Sequence, residues 1–259
     1  MEIVIQLEQV SYRREQSEIL KNMNWTVKKG EHWALLGLNG SGKTTILNLI
    51  NGYIWSTLGK VSVLGELYGT VDVREMRKRI GWVSSSLQEK LHSNDKTQNI
   101  IISGKHASIG LYEQTTDQEV EQAFSLMTQL GCGHLFDRSY QSCSQGEKQK
   151  LLIARALMAE PRILILDEAT NGLDFLSRES LLASIQQIAE QPEAPTILYV
   201  THHIEEIMPV FNQTMMIRRG EVFRQGPSTQ VLTNDTLSSF FETEIQVQQL
   251  NNRAWISIP

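Results

Sequence analysis

The glycine-rich segment at residues 37–44 constrains the fold of this chain more than any other stretch of its sequence. It reads GLNGSGKT and fits the pattern G-x-x-x-x-G-K-[ST]. The apolar run at residues 33–36 precedes it directly, and Ile46, Leu47, Leu49 and Ile50 follow it at helical spacing. The sequence therefore predicts a buried strand that turns through glycines into a helix, which is a unit of an α/β sheet.

This segment, called the phosphate loop below, has the chemistry to bind phosphate. Its glycines let backbone N–H groups surround phosphate oxygens, and the helix N-terminus adds partial positive charge. Lys43 is expected to reach the terminal phosphates of a nucleotide, and the Thr44 hydroxyl to ligate Mg²⁺. The candidate binding residues here are Gly37, Asn39, Gly40, Ser41, Gly42, Lys43, Thr44 and Thr45. The pattern predicts an NTPase or a kinase without choosing between them, and a structural glycine turn is the alternative.

Three continuously apolar runs are typical of parallel strands that helices cover on both faces. They occupy residues 33–36, 163–166 and 197–200, and polar clusters at 37–45, 167–168 and 201–202 follow them. In an open α/β sheet, ligands bind beyond the carboxyl ends of the strands. We therefore expect one site to gather all three clusters.

Other segments predict the remaining architecture. Alternation over the first thirty residues predicts an antiparallel sheet region, with a polar connection from Tyr12 to Glu18. Between about residues 88 and 141 the chain turns polar and helical, including an amphipathic run from Val120 to Leu130, and we interpret it as an inserted helical lobe. The segment at 215–223 resembles a hairpin that turns at Gly220.

Two adjacent carboxylates follow the second apolar run. Asp167 and Glu168 lie at the mouth of a predicted buried strand, where neighbouring side chains point in different directions. Asp167 would hold Mg²⁺, through water, and Glu168 would orient or deprotonate a water that attacks the γ-phosphate. A solvated pair at a strand end is the alternative.

Ser144 and Glu147 open an apolar helix shortly before the carboxylate pair. A serine three residues ahead of a glutamate has the pattern of a capping box. After the third apolar run, His202 lies where an imidazole can contact a γ-phosphate. Its neighbour His203 is expected to point the opposite way on an extended segment, which argues against a zinc pair.

Composition excludes several classes of function. The formal net charge of -5, with no Lys/Arg-rich run, offers no field for a nucleic-acid backbone, so no nucleic-acid partner is expected. Cys132 and Cys143 are too few for a disulfide framework and lack metal-ligand spacing. The N-terminus lacks the features of a secretory leader, and no apolar stretch is long enough to cross a bilayer. We therefore expect a cytoplasmic chain.

Taken in order, these motifs resemble the nucleotide-binding subunit of ATP-binding cassette (ABC) transporters over nearly the whole chain. Residues 143–147, CSQGE, are similar to the family's L-S-G-G-Q signature in its L-S-Q-G-E form, with Cys143 in place of leucine. Gly172-Leu173-Asp174 resembles the D-loop, and His202 the switch histidine. Tyr12 resembles the A-loop aromatic that stacks on adenine, although a plain tyrosine at a strand end is the alternative.

The resemblance implies an α/β fold, namely a P-loop NTPase (RecA-like) mixed-sheet core with an N-terminal antiparallel β subdomain and an inserted α-helical subdomain. It implies a single domain over residues 1–259, with the core and β subdomain at 1–87 and 151–259 and the helical subdomain, which carries the signature, at 88–150. It also implies ATP and Mg²⁺ as cofactors. Ser144, Gly146, Glu147 and Asp174 would contact nucleotide, and the Ser144 helix would point at the ATP of an opposing subunit.

One segment departs from the family pattern. The family has a glutamine, the Q-loop residue, directly after an I-G-Y-V-P type strand, whereas Ile80-Gly81-Trp82-Val83-Ser84 leads here to Ser85. Either Ser85 takes the position with a shorter hydroxyl, as counting favours, or the loop bulges to deliver Gln88. The segment at 83–88 is similar to a ModF/YlmA-like branch of ABC ATPases.

The resulting hypothesis is an ATPase subunit, peripheral on the inner face of the cell membrane, that dimerises on ATP, as a homodimer, and drives separate transmembrane permease subunits. A soluble ABC ATPase with a regulatory or nucleic-acid-related role is the alternative. A small-molecule kinase would not explain Ser144 to Glu147 or Asp174. Cargo and transport direction do not follow from this sequence.

Overall fold

A computed structural model describes residues 2–89, 91 and 94–259, with the backbone alone for Ser85 and Ser86. In chain order the strands are β1 Ile3–Arg14, β2 Ser17–Lys28, β3 Trp33–Gly37, β4 Leu58–Val63, β5 Glu66–Leu67, β6 Ile80–Val83, β7 Ile163–Asp167, β8 Thr196–Thr201, β9 Gln213–Arg218, β10 Glu221–Pro227, β11 Gln246–Leu250 and β12 Arg253–Ser257. The helices are α1 Lys43–Ile50, α2 Val73–Lys78, α3 Ser85–Gln88, α4 Thr97–Ser103, α5 Asp117–Gln129, α6 Gln145–Leu157, α7 Phe175–Ala189, α8 Ser228–Val231 and α9 Asn234–Phe241.

The chain forms two compact units. The first unit comprises Met1–Arg77 together with Thr196–Pro259, and the second comprises Lys78–Pro195. The helical subdomain boundaries of 88–150 stay a prediction.

The first unit contains an antiparallel sheet with the strand order β2-β1-β4-β5. The alternation of the first thirty residues predicts it correctly, because one face of β1 and β2 is buried. The predicted connection from Tyr12 to Glu18 is wrong, since β1 and β2 continue to the tight turn at Glu15 and Gln16. The residues at these strand ends are polar, but they form strand because the two ends pair with each other. Tyr12 itself pairs with Leu20.

The first unit also contains strands in the order β10-β9-β3-β8. β3 runs parallel to both β8 and β9, and every residue of β3 and β8 is buried, as continuous apolar runs predict. β9 and β10 form the predicted hairpin, in which Arg219 and Gly220 have φ values of 53° and 82°. Positive φ at both central residues is characteristic of a tight hairpin turn.

The C-terminal segment of the first unit ends in a second hairpin. β11 and β12 pair antiparallel and turn at Asn251 and Asn252, which have φ values of 53° and 60°. Asparagine tolerates the left-handed region better than most residues, which suits it to such a turn. The sequence predicts only a mixed segment here.

The second unit contains the parallel strand pair β6 and β7, in which Val83 pairs with Leu166. Helices α4, α5 and α6 pack on one another in the same unit. The amphipathic run from Val120 to Leu130 lies in α5, whose inward positions Ala123 and Met127 are fully buried. Gly131 follows the helix with φ 69°, the left-handed conformation that ends many helices.

Candidate functional site

The phosphate loop begins at the end of β3 and leads into α1. Gly42 precedes the first helical residue with φ 108°, a conformation that side chains rarely allow. A Cβ added to Gly37 would lie 2.8 Å from the Ile217 carbonyl oxygen and 2.5 Å from Ser41 Oγ, so this position also requires glycine. Within the described residues Ser41 Oγ is buried without a hydrogen-bond partner, and Gly40 faces open space. A buried, unsatisfied hydroxyl beside a glycine cradle fits a phosphate ligand.

Lys43 is the first residue of α1 and lies inside the loop. It is 6% exposed, and its Nζ donates hydrogen bonds to the Gly37 carbonyl at 2.6 Å and to the Leu38 carbonyl at 3.3 Å. The loop therefore folds over the ammonium group. Thr44 is exposed and Thr45 is partly exposed, so the hydroxyl of Thr44 is open to a ligand or a metal ion.

Tyr12 lies in β1, and its strand neighbour contacts the phosphate loop. Tyr12 pairs with Leu20 of β2, and Leu20 Cδ2 lies 2.7 Å from where a Cβ on Gly42 would be. Glycine at 42 thus allows the antiparallel sheet to approach the start of α1. Tyr12 is half-buried, and its role as the A-loop aromatic stays a prediction.

His202 follows β8 at the level where the phosphate loop leaves β3. Thr201, the last residue of β8, pairs with Leu36, the residue before Gly37. Parallel neighbours end at the same edge, so the loop and the histidine emerge side by side within the first unit. The orientation predicted for His203 is wrong, because its ring centroid lies 4.1 Å from that of His202. The strand ends at Thr201, so strand alternation no longer applies.

The carboxylate pair lies in the second unit, where Asp167 ends β7 and Glu168 begins the following turn. Glu168 has φ 52°, and its carbonyl accepts a hydrogen bond from the Asn171 N–H at 3.0 Å. A non-glycine residue in the left-handed region is strained, and such residues cluster at functional sites. Both side chains are half-buried at the carboxyl end of the strand.

Ser144 caps α6 in a complete capping box. Its Oγ accepts from the Glu147 N–H at 3.4 Å, and its own N–H donates to Glu147 Oε2 at 2.7 Å. Burial acts to raise the pKa of Glu147, but hydrogen bonds from Ser144 and His134 outweigh it and hold this pKa below its ordinary value. His134 Nε2 lies 3.3 Å from Glu147 Oε1. Ser144 stays exposed at the positive end of the helix.

Asp174 caps the next long helix, α7, and contacts the same region. Its two carboxylate oxygens accept hydrogen bonds from the Ser177 N–H at 3.0 Å and the Ser177 hydroxyl at 2.7 Å. These bonds hold the pKa of Asp174 below its ordinary value. A Cβ on Gly146 would lie 3.0 Å from Ser177 Cβ, so the first turns of α6 and α7 are in contact. The structure thus brings Gly146 and Asp174 together.

The Q-loop position lies at the start of α3. Ser85 is its first residue, but the Ser85 side chain is outside the described residues. Gln88 is engaged with α6: it exchanges hydrogen bonds of 3.0 and 3.1 Å with the Gln145 amide and accepts a third, at 3.1 Å, from Gln149. These contacts occupy the Gln88 side chain within the second unit.

Sequence reasoning missed Gln145, Gln149, Ser177 and His134 as neighbours of the predicted motifs. The spacing of Gln145 and Gln149 places both on one helix face, which is a signal for a shared partner, but it does not name Gln88. Ser177 follows Asp174 at N-cap spacing, so its role as the capped residue was predictable.

The family comparison agrees with this geometry. A model of the family described as ABC transporter matches residues 20–171. The chain is 46% identical over 256 residues to the "Uncharacterized ABC transporter ATP-binding protein YlmA" of Bacillus subtilis, a match that covers 98% of this chain and 97% of that protein. It is 34% identical to the "ABC transporter ATP-binding protein ModF" of Escherichia coli, over 73% of this chain and 39% of that protein. The similarity to both proteins bears out the branch predicted from residues 83–88.

Solved structures share the fold. A cbiO1 protein from Clostridium perfringens, described as part of the ABC transporter complex cbiONQ, superposes with TM-score 0.79 at 25% identity over 92% of this chain and 94% of that chain. A dimeric ATP-binding cassette bound to ADP and Pi superposes with TM-score 0.73 at 23% identity over 86% of this chain and 98% of that chain. Among the described residues, no helix has both the length and the apolar character to cross a membrane.

Proposed function

This chain belongs to the ABC transporter family, as an ATP-binding subunit that hydrolyses ATP for transport, and we propose that two copies join head to tail around two ATP molecules to drive a separate transmembrane permease. The observation that carries the proposal is Ser144, which caps a 13-residue helix and leaves its N-terminus exposed. An exposed helix N-terminus binds anions, and the γ-phosphate of a second subunit's ATP has the required charge.

The surface beside Asp174 supports the second copy. Phe175 and Leu176 follow it in α7 and are 59% and 76% exposed. Adjacent large apolar side chains at a surface are typical of an interaction site. Asp174 and these two residues would therefore face the partner subunit, as the D-loop resemblance implies.

In the first unit, we assign ATP binding to Tyr12 and the phosphate loop. Tyr12 would stack on adenine, and the N–H groups of the loop from Gly37 to Thr45 would surround the phosphates. Lys43 would exchange its two carbonyl partners for the terminal phosphates, which are stronger acceptors because they are charged. Ser41 Oγ would gain the partner that the described residues do not provide.

The residues proposed for hydrolysis lie at the ends of two strands, β7 and β8. Glu168 would orient or deprotonate the attacking water, and His202 would contact the γ-phosphate. Thr44 and, through water, Asp167 would hold Mg²⁺, which when bound neutralises charge on the phosphate oxygens. The donor set is hydroxyl and carboxylate oxygen, which suits a hard cation such as Mg²⁺. Ser144, Gly146 and Glu147 would complete the γ-phosphate contact from the opposing subunit.

We also propose that Ser85 fills the Q-loop position. Gln88 is held by Gln145 and Gln149, whereas Ser85 begins α3 directly after the strand β6 and Ser84. A serine hydroxyl is shorter than a glutamine amide, so its contact with Mg²⁺ would run through a water molecule.

The proposed permease partner gains support from an exposed apolar segment of the first unit. Tyr53, Trp55 and Leu58 follow α1 and are each more than half exposed, at 56%, 53% and 61%. Such residues mark protein interaction sites. The cbiO1 neighbour belongs to an ABC transporter complex, which fits a subunit that works at the inner face of the cell membrane.

Glu168→Gln tests the shared site. The amide keeps the size of the side chain but cannot take a proton, so we expect ATP to bind, turnover to fall at least about a hundredfold, and the variant to form a dimer with ATP and Mg²⁺. Analytical ultracentrifugation measures the dimer, and phosphate release measures turnover. Glu121→Gln, on the exposed face of α5, is the matched control and should behave like the natural chain.

A Glu168→Gln variant that remains monomeric at saturating ATP and Mg²⁺ would contradict the proposed dimer. Purification of the chain from its own membranes tests the partner separately. We expect a polytopic membrane protein to accompany it, and its consistent absence would favour a soluble ABC ATPase.

A further inference from the structure

Arg253, the first residue of β12, places a buried guanidinium against the segment that follows His202. It is only 9% exposed. Its Nε donates a hydrogen bond to the Glu205 carbonyl at 3.0 Å, and its Nη2 donates to the same oxygen. Its guanidinium also lies 5.3 Å from the centre of the Trp255 ring. Burying a charged group is costly unless hydrogen bonds compensate it, so this double contact is a specific feature of the fold.

The carbonyl oxygen that accepts from Arg253 belongs to the turn that follows His202 in the chain. Glu205 is the middle residue of the 3₁₀ turn Ile204–Glu206, which begins two residues after His202. Two donors on one carbonyl restrict the orientation of that peptide group more than a single donor does. The C-terminal hairpin therefore fixes this turn from outside the sheet.

The other end of the same turn is fixed to β8. Glu206 is 2% exposed, and its carboxylate accepts hydrogen bonds from the Thr201 hydroxyl at 2.6 Å and the Tyr199 hydroxyl at 3.0 Å. The Thr201 hydroxyl in turn accepts from the His203 N–H at 2.9 Å. His202 thus lies between a strand end and a turn that are both held by buried polar contacts.

We propose that Arg253 is a positioning residue for His202 in ATP hydrolysis. It acts through the Glu205 carbonyl, so that the C-terminal hairpin β11–β12 sets the backbone from which the imidazole projects. The inference rests on the proposed function, in which His202 contacts the γ-phosphate. Arg253 lies outside residues 20–171, the part of the chain that the family model matches.

Steady-state hydrolysis kinetics test the proposal. Arg253→Gln should lower kcat by about fivefold to tenfold, the loss expected when a charged hydrogen bond that orients a reacting group is removed. KM for ATP should stay within about twofold, because the phosphate loop is untouched. Arg253→Lys keeps the positive charge but not the planar set of N–H donors. The logarithm of kcat should therefore fall by about half as much as it does in Arg253→Gln. Arg224→Gln, an exposed arginine on β10, is the matched control and should leave kcat unchanged.

A double-mutant cycle separates positioning from general stability. If Arg253 acts through His202, Arg253→Gln should cost almost nothing further in a His202→Ala background. Equal, additive losses in both backgrounds would overturn the proposal, as would a folded Arg253 variant with natural kcat. Thermal unfolding establishes which variants are folded. If Arg253→Gln does not fold, Arg253→Lys replaces it in the double-mutant cycle. The cycle measures hydrolysis alone, so it stays interpretable whether or not Glu168→Gln dimerises.

Discussion

At the scale of single residues, Glu168, the residue that we propose activates water, has an unusual backbone conformation. Its φ of 52° is a conformation that costs a side-chain-bearing residue about 1 kcal/mol relative to the right-handed region. The turn closed by Asn171 holds it there, where the chain leaves β7. The sequence predicts the carboxylate and its place after a strand, but backbone strain has no signature in a row of residue types. The positive φ of Glu168 follows only from the folded turn that Asn171 closes.

Ser144 is proposed both to cap α6 and to contact a partner's γ-phosphate, and a comparison with Thr116 separates the two roles. Ser144→Arg removes a helix cap and places a bulky cation where we propose a partner's γ-phosphate binds, so turnover should fall at least about a hundredfold with ATP affinity of the monomer nearly unchanged. Thr116 caps α5 in an identical arrangement, with Glu119 in the place of Glu147. Thr116→Arg should therefore cost about 1 kcal/mol of stability and little activity. Phosphate release and nucleotide titration measure both variants.

Equal losses of turnover in the two cap variants would mean that Ser144 is only a cap. The comparison is informative because both helices are 13 residues long and both capping boxes are complete. The sequence pattern of a small hydroxyl residue and a glutamate three positions later predicts the box at Ser144, and the structure shows a second box of the same pattern at Thr116. The pattern alone does not distinguish the box for which we propose a phosphate contact from the box that only caps α5.

At the scale of elements, the N-terminus of α5 predicts a measurable dependence on pH. The Thr116 backbone N–H, followed by Lys105, lowers the pKa of Glu119 from 4.5 to about 2. Lys105 Nζ lies 3.0 Å and His106 Nε2 lies 3.6 Å from the Glu119 carboxylate. Because the folded pKa is below the unfolded one, Glu119 stabilises the fold fully above about pH 4.5, and that contribution is lost as the pH falls toward 2.

Urea unfolding of Glu119→Gln at several pH values tests this contribution. The difference in unfolding free energy between the natural chain and the variant should be constant near neutral pH and should shrink as the solution is acidified below about pH 4.5. Glu121→Gln, on the exposed side of the same helix, should show no such convergence. A difference that widens on acidification would contradict the assigned cause.

Elements also show where prediction from sequence fails. Apolar periodicity predicts β3, β7, β8 and α5 because burial of a strand or a helix face is a local pattern. The ends of β1 and β2 are misjudged because the residues around Tyr12 are polar and lack the apolar alternation of a strand, although these ends pair with each other. The side-by-side rings of His202 and His203 depend on the strand ending at Thr201, and the exact end of a strand is among the least predictable features of a chain.

At the scale of the whole molecule, ATP binding should appear as stability. A ligand that binds only the folded state raises the unfolding free energy by about 2.7 kcal/mol at a hundred times its Kd. Lys43→Met keeps the buried stem of the side chain but loses the ammonium group, so most of the ATP-dependent rise in Tm should disappear. Lys29→Met, an exposed lysine in the first unit, should keep that rise. Differential scanning fluorimetry with and without ATP and Mg²⁺ measures both.

A Lys43→Met variant that ATP stabilises as strongly as the natural chain would place the nucleotide elsewhere. At this scale the sequence predicts the family from its motifs, and it predicts the edge of the sheet where the loop and His202 emerge because continuously apolar runs are typical of parallel strands. The contact between Arg253 and Glu205 was not predictable from the sequence. It joins residues 48 positions apart, and its acceptor is a backbone carbonyl, which every residue type has.

The absence of a side chain at Gly146 has a mechanical consequence. Ser177 fills the space beside it and also holds Asp174 through its hydroxyl, so the two helix starts press directly on one another. Because the two helix starts are in contact, a displacement of the first turn of α6 should also displace the first turn of α7. We therefore expect the proposed signature and D-loop residues, which are separate in the sequence, to move together as one rigid unit.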